Sequence, residues 1–136
     1  MTAIIEQPPP RATERRPAWD LVIEHVEGRR PTMAVIDGVI DQVIGDMRER
    51  DRVGRERYGV PLTSGNGRDH LVDAYFEALD LIVYLATELD EHGVALDEPI
   101  VSTRPDCWRL IRLQSMLWDH VRTIVQLRAM IEERTS

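Results

Sequence analysis

A chain of 136 residues with 24 acidic and 17 basic side chains carries a formal net charge of −7, which disfavours direct DNA binding, since that needs clustered positive charge. Its lone Cys107 excludes an intramolecular disulfide and a cysteine-based zinc site and fits a reducing compartment. Length, 30% charged residues and only 5% aromatics suit one soluble all-α domain, and the longest apolar run, residues 81–86, is far short of a bilayer span of about 20 residues.

Residues 1–17 read as a flexible arm, broken at Pro8, Pro9 and Pro10, and they lack the basic start and apolar stretch of a targeting segment. The remaining 18–136 read as a single domain. A short helix is predicted over 18–29, stopping near Gly28 and Pro31. A long helix follows from Thr32, with Ile36, Val39, Ile40, Val43, Ile44 and Met47 at the i, i+3, i+4, i+7 spacing of a core-facing stripe. It should end near Tyr58 and Gly59, because Pro61 disfavours helical geometry at Val60.

The loop 59–67 is rich in turn formers, and Ser64 or Asn66 could cap the helix that follows. Gly65-Asn66-Gly67 is a turn, without the pattern of a nucleotide-binding P-loop. That next helix is predicted over 68–91, broken at Gly93. A last helix spans about 106–133, and its apolar residues, Trp108, Leu117, Trp118, Val121 and Val125 among them, spread so widely around the axis that subunit contacts are expected.

At about 100° per residue, Asp69, Asp73, Glu77 and Asp80 fall on one line of the 68–91 helix, and Tyr84 continues it. A solvated face would be the ordinary explanation. Against it, residues 69–91 hold seven acids and no Lys or Arg, whereas exposed helix faces gain from interspersed signs. In addition, Val72, Phe76 and Val83 crowd one edge of the stripe, leaving little room for open water. Clustered, partly buried carboxylates need cations or shifted pKa values, and several oxygens on one face suit hard divalent ions such as Mg²⁺ or Mn²⁺.

The preceding helix offers a second pair, Asp46 and Glu49. If the two long helices pack antiparallel, Asp46, Glu49, Glu77 and Asp80 converge on one or two ions. Alone, Asp46 and Glu49 would be surface acids paired with Arg50 or Arg52. Of the nearby arginines, Arg57 and Arg68 flank the loop and are the candidates for gripping phosphate oxygens, so metals plus arginines imply a polyphosphate substrate. The ExxH pattern of di-iron bundles is absent at all four histidines.

Segment 45–85, with its carboxylate pair followed by RYGxPL, NGRD and EALDLxVYL, resembles the phage branch of the MazG-like all-α nucleoside triphosphate pyrophosphohydrolases that act on dATP and dGTP. The likeness covers the central third of the chain. Of that family's EExxE…ExxD motif, the ExxD half is intact here as Glu77 to Asp80. The first half appears as Gly45-Asp46-Met47-Arg48-Glu49, without the first carboxylate.

The resemblance implies an antiparallel helical bundle, a homodimer or homotetramer in the host cytoplasm, and hydrolysis of purine deoxynucleoside triphosphates to monophosphate and pyrophosphate. In some relatives this supplies a pathway to 2-aminoadenine DNA. It further implies two or more Mg²⁺ or Mn²⁺ ions on Asp46, Glu49, Glu77 and Asp80, with Glu49 or Glu77 orienting or deprotonating the attacking water. Arg57, Asn66, Arg68, Asp73 and Tyr84 are the candidate substrate contacts. Two other functions compete: a non-catalytic helical interaction protein on the same fold, favoured by the missing first carboxylate, and a dUTP-specific enzyme.

Overall fold

A computed structural model describes residues 6–30 and 37–136. The predicted arm's first five residues and the predicted helix start at 32–36 therefore lie outside the described residues. Among the described residues four α-helices make up the regular structure: α1 (Ala18–Arg29), α2 (Asp37–Tyr58), α3 (His70–Glu91) and α4 (Trp108–Thr135), the last preceded by a 3₁₀ turn at Pro105–Cys107. Among the described residues there is no strand, only an isolated bridge between Pro17 and Thr63, so the fold is all-α. No described helix is long and apolar enough to cross a membrane. The chain forms two compact units, Gln7–Arg68 and Asp69–Ser136, with Glu6 grouped with the second.

The second unit is an antiparallel hairpin of α3 and α4. Its direction follows from the side chains that meet: Asp69 pairs with Arg134, the Tyr75 ring lies under Arg128, and Glu88 pairs with Arg109. Leu85, Leu89 and Leu117 form the buried centre, joined by Ile82, Ala86, Val94, Leu110 and Leu113. These α3 positions recur every three or four residues, which is why one face of α3 can be apolar while another carries carboxylates.

Chain reversal after α3 uses Gly93 at φ 69°, a left-handed conformation open to glycine at little cost, and the amides of Gly93 and Val94 return to Asp90 and Leu89 carbonyls. Gln114, buried on α4, then fastens the connector: its Nε2 donates to the carbonyls of Ala95 (3.0 Å) and Glu98 (2.7 Å), and its Oε1 accepts from the Ile100 amide. Trp118, read from sequence as part of an apolar surface, donates its indole N–H to the Leu96 carbonyl at 2.7 Å.

In the first unit α1 packs on α2, and Arg30 joins their facing ends by pairing with both Glu27 and Asp41. Ile40 and Ile44 are the buried residues of the α2 stripe, whereas Val39 and Val43 are exposed. Residues 8–17 of the predicted arm, with Ala18 at the start of α1, run along the loop 62–68. The Arg11 amide donates to the Asn66 carbonyl (2.8 Å), the Thr13 hydroxyl to that of Thr63 (2.5 Å), and the Ala18 amide to the Leu62 carbonyl (2.7 Å). Arg68 Nη1 donates to the Pro8 carbonyl at 2.7 Å. Proline lacks the amide needed for a helix but retains its carbonyl, so this segment is held through its neighbours' N–H groups and its own C=O.

Candidate functional site

The acidic stripe of α3 begins at its cap. Asp69, not Asn66 or Ser64, caps the helix: its Oδ1 accepts from the amides of Leu71 (3.1 Å) and Val72 (3.3 Å). Asn66 instead folds back within its turn, its Oδ1 accepting from the Arg68 amide at 3.0 Å. A side chain can satisfy only the amides it reaches, and Asp69 sits immediately before the first helical turn. Burial raises the Asp69 pKa, but hydrogen bonds from Arg134 and from the Val72 and Leu71 amides outweigh it, holding the carboxyl below its ordinary value.

Along the stripe, Asp73 is half-buried, with His70 Nδ1 at 4.0 Å, whereas Glu77, Asp80 and Tyr84 are exposed. Glu77 and Asp80 have no ion-pair partner among the described residues. The crowded flank expected from sequence is only partly covered: Val72 is buried, but Phe76 is 44% and Val83 58% exposed. A hairpin of two helices hides only the face between them, so the rest of α3 stays open within this chain.

In α2 the predicted pair behaves differently at its two members. Asp46 is exposed and unpartnered among the described residues. Glu49 is held by a two-pronged contact from Arg52, Nε to Oε2 at 2.9 Å and Nη2 to Oε1 at 2.8 Å, and these hydrogen bonds keep its carboxyl below the ordinary range. Arg52 also reaches Glu56, and Arg55 pairs with Asp51. A ligand role for Glu49 therefore requires Arg52 to let go. Arg57 lies over the Tyr58 ring, 5.2 Å from guanidinium carbon to ring centroid.

The predicted residues thus fall in both units: Asp46, Glu49, Arg57, Asn66 and Arg68 in the first, and Asp73, Glu77, Asp80 and Tyr84 in the second. Among the described residues no group of three or more His, Cys, Asp or Glu side chains is drawn together to hold a metal ion. A surface depression along α1, lined by Arg16, Leu21, Glu24, His25, Gly28 and Arg29, contains none of the predicted residues. Donor chemistry at Glu77 and Asp80, two exposed carboxylates one turn apart with no cation of their own, fits a hard divalent ion. Comparison with protein-family models, with curated proteins and with solved structures returned no match.

The sequence marks neither Gln114 nor the hydrogen-bonding role of Trp118, which secure the connector, nor the docking of residues 8–18 on the loop. A lone glutamine on a helix has no distinctive spacing. Backbone contacts of an extended segment leave almost no side-chain signature.

Proposed function

We propose that this protein is a metal-dependent pyrophosphohydrolase of purine deoxynucleoside triphosphates, dGTP and dATP. The observation that carries the proposal is the pair of unanswered carboxylates, Glu77 and Asp80, midway along α3. Glu77 and Asp80 have no partner among the described residues, in a chain where Arg pairs with Asp or Glu at many other exposed positions. The motif resemblance of segment 45–85 supplies the reaction class.

In this reading Glu77 and Asp80, with Asp46 and Glu49, hold two or more Mg²⁺ or Mn²⁺ ions, whose chemistry is to neutralise phosphate charge and act as Lewis acids. Glu49 or Glu77 orients the attacking water and takes its proton. The water oxygen bonds to the α-phosphorus, the bond to the bridging oxygen breaks, and pyrophosphate leaves with that electron pair. Arg57 and Arg68 hold phosphate oxygens, and Asn66, Asp73 and Tyr84 complete the substrate contacts. The antiparallel bundle, a homodimer or homotetramer and a cytoplasmic setting belong to the same proposal.

Incubating the full chain and Mn²⁺ with each dNTP tests it. Deoxynucleoside monophosphate and pyrophosphate should accumulate from dGTP and dATP. A folded protein that converts none of the nucleotides removes the reading, and turnover confined to dUTP replaces it with the uridine-specific one.

A second reading, a non-catalytic helical protein that binds a partner, is favoured by the exposed Trp108, Met116, Val121 and Val125 of α4 and by Gly45 where the family has a carboxylate. Calorimetric titration with Mn²⁺ separates the two, since that reading predicts only weak surface binding.

A further inference from the structure

In a chain of net charge −7, the turn 64–68 and the segment docked on it are locally basic. Residues 7–17 and 59–68 contain Arg11, Arg15, Arg16 and Arg68 against a single acid, Glu14. Arg16 is answered by Glu24, and Arg68 donates to the Pro8 carbonyl. Arg11 and Arg15 have neither a hydrogen bond from their side chains nor an ion pair among the described residues.

Both guanidinium-bearing chains lie against the glycines of the turn. A methyl group built on Gly67, at φ 91°, would fall 2.7 Å from Arg11 Nε, and one on Gly65, at φ 73°, would fall 3.6 Å from Arg15 Nε. The two glycines therefore serve two purposes: they allow left-handed backbone, and they leave room for the arginines to approach the main chain. Main-chain bonds fix where the arginines emerge, because the Arg11 amide donates to the Asn66 carbonyl and the Arg15 amide to Thr13 Oγ1 (3.3 Å).

Between them lies Asn66, fully buried, whose Nδ2 has no acceptor among the described residues. The turn thus gathers an excess of N–H donors with no anion of its own. Planar guanidinium forks arranged around a glycine turn match phosphate oxygens, for which Arg offers paired donors.

We propose that Arg11 and Arg15, seated on the Gly65-Asn66-Gly67 turn, form a binding site for a polyphosphate chain. The site does not depend on divalent metal. Its assignment to the phosphate tail of a nucleotide rests on the pyrophosphohydrolase reading, whereas binding of the anion itself does not.

The test is calorimetric titration of the full chain with inorganic tripolyphosphate, and separately with dGTP, in metal-free buffer at low salt. Tripolyphosphate should bind, more weakly as salt rises. The double variant Arg11→Gln/Arg15→Gln should weaken it at least about tenfold, as loss of charge-assisted hydrogen bonds requires. Arg122→Gln on α4 should bind like the wild type, and circular dichroism checks that every variant is folded. The proposal is overturned if the wild type does not bind tripolyphosphate, if the double variant binds equally well, or if Arg122→Gln weakens binding as much.

Tighter binding of dGTP than of tripolyphosphate, lost in the same double variant, identifies the ligand as a nucleotide tail; equal binding identifies a free polyphosphate. Tripolyphosphate binding by a protein that hydrolyses no dNTP supports this site while removing the function proposed above.

Discussion

Helices α2 and α3 are each 22 residues long and each carry six acids, but they answer that charge in opposite ways. α2 interleaves five arginines, and Arg52 and Arg55 bind acids one turn away on the same helix. α3 has no basic residue except His70, and the arginines that reach it come from α4, Arg109 at Glu88 and Arg134 at the cap Asp69. Glu77 and Asp80, midway between those ends, are reached by neither. A helix with internal pairs carries its counter-charge with it, whereas α3 depends on charges supplied from elsewhere, and at its centre nothing within the described chain supplies them.

The largest effect that would sharpen this contrast is on turnover. Glu77→Gln should lower hydrolysis of dGTP by about 10²–10⁴-fold, the range for a group that positions or deprotonates water. Its melting temperature should stay at or slightly above that of the wild type, because an exposed like-charge neighbour has been removed. Kinetics and thermal unfolding on one preparation check both parts. Full activity would return the α3 stripe to an ordinary solvated face.

The next effect is on folding, and it asks what holds α3 in place if internal ion pairs do not. Leu89 is 0% exposed at the centre of the α3–α4 contact. Leu89→Ala should cost about 2–5 kcal/mol, from lost apolar transfer and a residual cavity, measured by urea unfolding. A loss below about 1 kcal/mol would mean that the hairpin core is not what fixes α3.

How much of this was legible in the sequence follows from the kind of interaction involved. Apolar spacing and helix-breaking residues are written in consecutive positions and mark the helices: Ala18–Arg29 has the predicted limits, and α2 and α3 end close to Gly59 and Gly93, which take positive φ. The cap of α3 lies beyond both Ser64 and Asn66 because these two and Asp69 are all competent caps, and only the path of the turn decides which one reaches the helix amides. Arg52 and Glu49 were visible as a possible pair. The unpaired state of Glu77 was not, because it depends on where the α4 arginines point. Docking of residues 8–18 was hidden because backbone hydrogen bonds hold it, and prolines alone suggest only that no helix forms.

A smaller effect probes the amino-terminal end of α3, where the cap receives a cation from α4. Asp69→Ala removes both the cap and the Arg134 pair and should cost about 0.5–2 kcal/mol, whereas Asp69→Asn keeps a capping oxygen and should cost less. The folded pKa of Asp69 lies below its unfolded value, so its contribution is fully present above about pH 4 and is lost as pH falls through the depressed folded value. Wild-type stability should therefore fall more steeply on acidification than that of Asp69→Asn, by denaturant unfolding at a series of pH values. Parallel curves would show that the Arg134 contact adds nothing.

The smallest structural change addresses the α2 side of the contrast. Glu49 is proposed as a metal ligand, yet both its oxygens are engaged by Arg52, so an incoming cation must displace a guanidinium before it can bind. Arg52→Ala removes that competitor. The pair is solvent-exposed on one helix face, so melting should hardly change, and the carboxyl pKa of Glu49 should rise toward its ordinary value. If Glu49 and Glu77 serve the same ions, Mn²⁺ should bind several-fold more tightly to Arg52→Ala than to the wild type by calorimetry, and Glu77→Gln in the same background should abolish the gain. Unchanged Mn²⁺ affinity in a folded Arg52→Ala would make Glu49 an ordinary partner of Arg52 and would leave Asp46 and the carboxylates of α3 as the remaining candidates.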